Sequence, residues 1–150
     1  MTNPLPSKEF LNIPVTISRV DRTFLLLGAL AGFIGVALGA FGAHGLRSRL
    51  PAEMLAVFET GVRYQMYHAC AILIVALAAA RLDGWLIRAA GWSFVVGIVL
   101  FSGSLYVLAL SRLTMFGAVT PLGGLAFLAG WACLVAAGLA LAGAPPLRPL

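Results

Sequence analysis

Charge is what this chain has least of. Of its 150 residues only 10% are charged, while 61% are hydrophobic, against about 25% and roughly 45–50% in an ordinary soluble domain. With a mean hydropathy of +1.02, a 15.7 kDa globule lacks the polar side chains to cover its own surface, so lipid must solvate most of it. Soluble, disordered and collagen-like readings fall together. The ten basic residues give a net charge of +5, but they are scattered over separate segments and form no patch for nucleic acid. Cysteine is nearly absent too. Cys70 and Cys133 each sit inside an apolar run without metal-ligand spacing or a disulfide framework, and read as inert core thiols. There is no His-Glu-x-x-His, no nucleophile elbow and no pair of intramembrane aspartates, so no catalytic or metal residues are assigned.

What is present is length without charge. A charge near the bilayer centre costs at least about 2.5 kcal/mol, so gaps between charges outline the spans. Four gaps are long enough: Thr23–Leu46 (24 residues), Tyr64–Ala80 (17), Ala89–Ser111 (23) and Leu113–Leu147 (35). They predict an all-α, four-helix transmembrane bundle with spans near Phe24–Ala43, Val62–Ala80, Trp85–Leu110 and Thr120–Leu141. Pro51, Glu53 and the helical spacing of Met54, Leu55, Phe58 and Val62 extend the second helix back to Pro51. That makes a short amphipathic extension, with Gly61 a candidate bend.

The chain divides into an N-terminal tail (residues 1–22, flexible, with Pro4, Pro6 and Pro14), a membrane domain (23–143) and a short C-terminal tail (144–150). A signal peptide is the rival for the first span, but the run is span length and the preceding tail is long and polar. Gly45 after His44 reads as a helix stop, Asp83-Gly84 as a tight turn, and Pro121 as a first-turn residue. Trp85 and Trp92 suit the interface, whereas Trp131, mid-span, should pack between helices or face lipid. A cytoplasmic N-terminus puts six basic residues inside (Lys8, Arg19, Arg22, Arg81, Arg88, Arg148) and four outside (Arg47, Arg49, Arg63, Arg112). Both termini are therefore expected in the cytoplasm.

Small residues line the first span: Gly28, Gly32, Gly35, Gly39 and Gly42 step by four and three along one face. In lipid such a stripe lets another backbone approach closely. A weaker series, Ala126, Gly130, Ala132, Ala136 and Ala140, suggests packing of the first span on the fourth, or of two copies; a role within one chain is preferred.

The polar residues gather around the second span. Glu59, Arg63 and Tyr67 form one i, i+4 stripe, and Thr60, Tyr64 and His68 another. Glu59 four residues before Arg63 is the favourable order for a helical ion pair, and the two are expected to neutralise each other. Antiparallel neighbours would bring His44, Tyr64, Gln65, His68, Ser102, Ser104, Tyr106 and Thr120 toward one end of the bundle. Three readings of this cluster stay open. The preferred one is a structural network that locks helix register at about 1 kcal/mol per bond. The second is a wet pocket for a quinone, lipid headgroup, proton or small solute. The third has His44 and His68 as axial haem ligands, for which two histidines are the minimum and not support. No cofactor is assigned.

The segments Gly39-Ala40-Phe41-Gly42-Ala43-His44-Gly45, Thr60-Gly61 with Tyr64-Gln65 and His68, Phe101-Ser102-Gly103-Ser104-Leu105-Tyr106, and Thr120-Pro121 with Gly123-Gly124 and Gly130-Trp131 resemble the YgdD-like family. That family comprises small four-span bacterial inner-membrane proteins of unknown function, with a related protein in eukaryotes. The resemblance runs over residues 24–142. It implies the fold and the location and supplies no activity. Its pattern includes His44, Thr60, Tyr64 and His68 and does not fix Glu59, Arg63 or Tyr67; the proline-containing N-terminal tail and Ala144-Pro145-Pro146 depart from it. The expectation is a non-enzymatic accessory or scaffold subunit, or a lipid-associated protein. Its partners would be the bilayer and either a larger membrane complex or a second copy, not nucleic acid. The alternative is a small-solute, proton or quinone-binding channel-like protein.

Overall fold

The computed structural model of the protein describes residues 20–80, 82 and 84–142. Arg81 and Asp83 and both tails lie outside the described residues, and with them the Asp83-Gly84 turn. Five α-helices build four candidate spans: α1 (Arg22–Ala40), α2 (Ala52–Ala78), α3 (Trp85–Gly97), α4 (Gly103–Ser111) and α5 (Thr120–Ala142). All four spans are long and apolar enough to cross a membrane: Arg22–Leu46, Ala52–Ala78, Trp85–Ser111 and Thr114–Leu141.

Local chemistry sets their ends. The Asp21 carboxylate accepts from the N–H groups of Thr23 (2.9 Å) and Phe24 (3.2 Å), satisfying donors the first turn leaves orphaned. Pro51 stands immediately before α2, where its missing N–H costs nothing, and Pro121 occupies the first turn of α5. Arg112 ends α4 in the left-handed conformation (φ 60°), its N–H returning to Leu108. Gly45 does not stop the first span. The chain widens instead into a π turn, Phe41–Leu46, and a second π turn, Ile98–Ser102, joins α3 to α4 within one span. α2 runs unbroken through Gly61 for 27 residues, about 40 Å.

Helix pairing differs from expectation. α1 packs along α2, α2 packs on α3, the second π turn and α4, and α5 packs on α3 and that turn. The spans thus follow one another in chain order. Among the described residues α1 and α5 do not pack along one another, so the expected close packing of the first span on the fourth does not form. The glycine stripe faces α2: side chains added at Gly28, Gly35, Gly39 and Gly42 would meet Leu73, Met66, Val62 and Phe58. Gly32 is the exception, with open space where its side chain would stand.

Elsewhere glycine works as a notch for an aromatic ring. Phe24 of α1 fills Gly91, Phe94 of α3 fills Gly130, Phe127 of α5 fills Gly97, and Tyr106 of α4 fills Gly61. Phe24, Phe94 and Phe127 join the main core with Ile72, Val75 and Ile87, while Tyr106 packs on a smaller cluster of Leu46, Phe58 and Ala109. At Gly123 the neighbour is main chain: a methyl group there would overlap the backbone nitrogen of Phe101. That close approach seats the start of α5 on the second π turn.

Candidate functional site

The polar residues expected at one end of the bundle divide into three groups. The first is a staple at Gln65. Its amide donates to the Ala31 carbonyl of α1 (2.8 Å), and its Oε1 accepts from the Tyr106 hydroxyl of α4 (2.9 Å). Gln65 is only 4% exposed and is the middle residue of α2, so one side chain ties three helices at mid-depth. Gly35 leaves the room for its amide on the α1 side.

The second group centres on His68, one turn along α2. Its Nδ1 lies 2.8 Å from the Tyr64 carbonyl, and the Trp131 indole N–H reaches its Nε2 at 3.3 Å. An indole nitrogen can only donate and a carbonyl can only accept, so the imidazole is neutral with its proton on Nδ1. The ring lies flat on Phe127, centroids 3.4 Å apart and planes within 5°. Trp131 is the middle residue of α5, and this bond bridges two helices that otherwise diverge. The third group is nearer the α5 start, where the Ser104 and Thr120 hydroxyls lie 2.8 Å apart and Ser104 also donates to the Phe101 carbonyl.

Three expected members stand outside these groups. His44 is exposed on the first π turn, and no hydrogen bond or ring contact among the described residues links it to His68. Thr60 returns its hydroxyl to Ala56 of its own helix, as serine and threonine do when nothing else is near. Ser102 is fully buried in the second π turn, and its hydroxyl has no partner among the described residues. The axial-haem arrangement does not form, because the two histidines are separated and both His68 nitrogens are engaged.

Trp131 was missed as a member, although it carries a signal. An indole N–H in the middle of an apolar span has no water to bond and must find an acceptor in the protein. Two other expectations fail. Glu59 and Arg63 are both exposed, with no ion pair between them among the described residues. Cys70 is exposed and Cys133 half-buried, so neither is a core thiol. No three of His, Cys, Asp and Glu come together as a metal site among the described residues.

The groove between α2 and α5 has a volume of about 590 Å3 and is lined by Tyr64, His68, Phe101, Phe127 and Trp131, among others. On the other side of α2, between α1 and α3–α4, a second depression of about 380 Å3 has aliphatic walls with Gln65 and Tyr106 at its polar floor.

With this geometry in view, a family model described as "Protein of unknown function (DUF423)" matches residues 38–124. The chain belongs to the DUF423 family. It is 47% identical to the UPF0382 membrane protein YwdK of Bacillus subtilis strain 168 over 119 residues, 79% of this chain and 97% of that one. It is 50% identical to a UPF0382 membrane protein of Haemophilus influenzae over 115 residues, 77% and 92% of the two chains. The UPF0382 inner membrane protein YgdD of Escherichia coli K12 is 47% identical over 125 residues, 81% and 92%. No solved structure matches. The segment matched to DUF423 holds Gln65, His68, Ser104, Tyr106, Thr120 and Gly123; Ala31, Phe127 and Trp131 lie beyond it. The chain is thus a multi-pass membrane protein of a family whose function is unknown.

Proposed function

We propose that this DUF423 protein is a non-enzymatic accessory or scaffold protein that works through its lateral surfaces, in contact with lipid or a larger membrane complex. One observation carries the reading: the interior polar side chains are spent on joining helices. Gln65 binds both α1 and α4, and His68 binds α5, which leaves little interior polarity for a reaction or a continuous path. The name of the Escherichia coli relative and the basic-residue bias support a bacterial inner-membrane location with both termini in the cytoplasm.

Gentle purification at native expression, followed by identification of bound protein and lipid, tests this directly. A reproducible partner or lipid is expected, whereas a clean chain that catalyses a reaction would refute it. His68→Leu should lower the yield of folded protein. A fully abundant, well-folded His68→Leu variant that lost only transport or small-molecule binding would instead support the second reading, a proton, solute or quinone-binding protein. What favours that reading is the aromatic groove beside His68. A cysteine introduced at the C-terminus of a cysteine-free chain tests the orientation: labelling from outside intact cells would reverse it.

A further inference from the structure

Among the described residues, one face of α2 has no partner. α1 covers one side of this helix through Phe58, Val62, Met66 and Ala69, and α3 and α4 meet another through Gly61 and Ile72. Between them Glu59, Arg63, Tyr67, Cys70, Ile74 and Leu77 are all exposed. Their spacing of three and four residues makes one continuous stripe along the helix.

The stripe is not an ordinary lipid-facing surface. Arg63 lies two residues from the midpoint of α2 and Glu59 six, about 3 Å and 9 Å along the axis. Both charges stand inside the candidate span Ala52–Ala78. Ionised groups there are expensive unless paired, and among the described residues these two have no partner, not even each other.

We propose that this face of α2 binds the same face of a second copy, with Glu59 of each chain pairing with Arg63 of its partner. A twofold axis along the membrane normal relates two chains inserted in the same direction, and any i-to-j contact then occurs twice. Opposite charges four residues apart on one stripe are self-complementary under that operation. The closing of two reciprocal ion pairs removes both exposed charges of each chain from lipid. The glycine stripe of α1 takes no part, because α2 already occupies it. Arg63, Cys70 and Leu77 are spaced by seven, so Cys70 comes near the axis, facing its own copy.

Native Cys70 therefore reports the interface. Two differently tagged copies, both Cys133→Ala, are co-expressed, and membranes are treated with a mild oxidant without detergent. The wild-type stripe should give a mixed Cys70–Cys70 disulfide, lost on Cys70→Ser. Glu59→Arg in both copies, or Arg63→Glu in both, places like charges across the axis and should lower the cross-link by on the order of tenfold. One Glu59→Arg copy expressed with one Arg63→Glu copy restores both pairs, and the mixed disulfide should return. That recovery separates pairing between chains from a pair within one helix, which no partner could rescue, and from misfolding, which a second misfolded chain would not repair. The absence of a wild-type cross-link, no loss with either single charge reversal, or no recovery in the mixed pair would each overturn the proposal. The outcome does not depend on the accessory reading above, which stands or falls by what co-purifies.

Discussion

Replacement of Gln65 by leucine removes the staple while keeping side-chain volume close to the original. Two hydrogen bonds disappear, those to Ala31 and Tyr106. Bonds between helices in membranes average about 0.6 kcal/mol and reach about 1.7, so the pair contributes roughly 1–3 kcal/mol. The consequences for the two partners differ. The Ala31 carbonyl keeps its place within α1, but the Tyr106 hydroxyl is left in an apolar pocket without an acceptor, adding about 1–3 kcal/mol. Gln65→Leu should therefore cost about 2–6 kcal/mol, and Tyr106→Phe about 1 kcal/mol. In the double variant no hydroxyl is stranded. It should be destabilised by about 1 kcal/mol less than the sum of the single changes, the mark of a direct interaction. Unfolding in mixed micelles, titrated with a denaturing detergent and followed by circular dichroism, measures all three. Additivity within about 0.3 kcal/mol, or a Gln65→Leu cost below about 0.5 kcal/mol, would refute the staple, since solvent would then be taking the place of the lost partners.

Three further outcomes follow from the packing. Gly123→Ala should collapse folded yield or cost about 3 kcal/mol or more, because its methyl meets the Phe101 backbone; Gly32→Ala, which meets nothing, should be neutral or raise stability by up to about 1 kcal/mol. A size-exclusion profile in detergent distinguishes the two, and equal behaviour would mean α5 does not sit on the second π turn. Trp131→Phe keeps an aromatic ring edge-on to Phe94 and removes the donor to His68 together with the rest of the indole, so thermal stability should fall by at least about 0.6–1.7 kcal/mol; an unchanged melting temperature would deny the bond. Arg112→Gly relieves a left-handed α4 terminus and should raise stability by about 0.5–1 kcal/mol, with a decrease showing that the arginine head is needed at the membrane surface.

The four spans were legible from charge alone, because a buried charge costs more than any local preference can return. Pro51 and Pro121 marked helix starts for an equally local reason, their missing N–H. The candidate site was legible only as a list of residue types. Gln65, His68 and Tyr106 belonged on that list, but Thr60 answered to its own helix and His44 to the first π turn. The mid-span indole of Trp131 needs an acceptor inside the protein, but residue types alone do not say which one. π turns leave no mark that separates them from ordinary apolar helix, since they shift hydrogen-bond register without changing composition.

By itself the sequence determined that this protein lives in lipid, crosses it four times, and must pack at least one helix closely through glycine. Only the tertiary structure decided which helix fills each glycine notch and which acceptor each buried donor finds. The reason is that every face of an apolar span is equally content in lipid, so hydropathy carries no facing information. Partner choice rests on shape and on a few hydrogen bonds. Phe101 against Gly123, Phe127 against His68 and Gln65 between Ala31 and Tyr106 are such choices, and they turn α2's charged stripe outward.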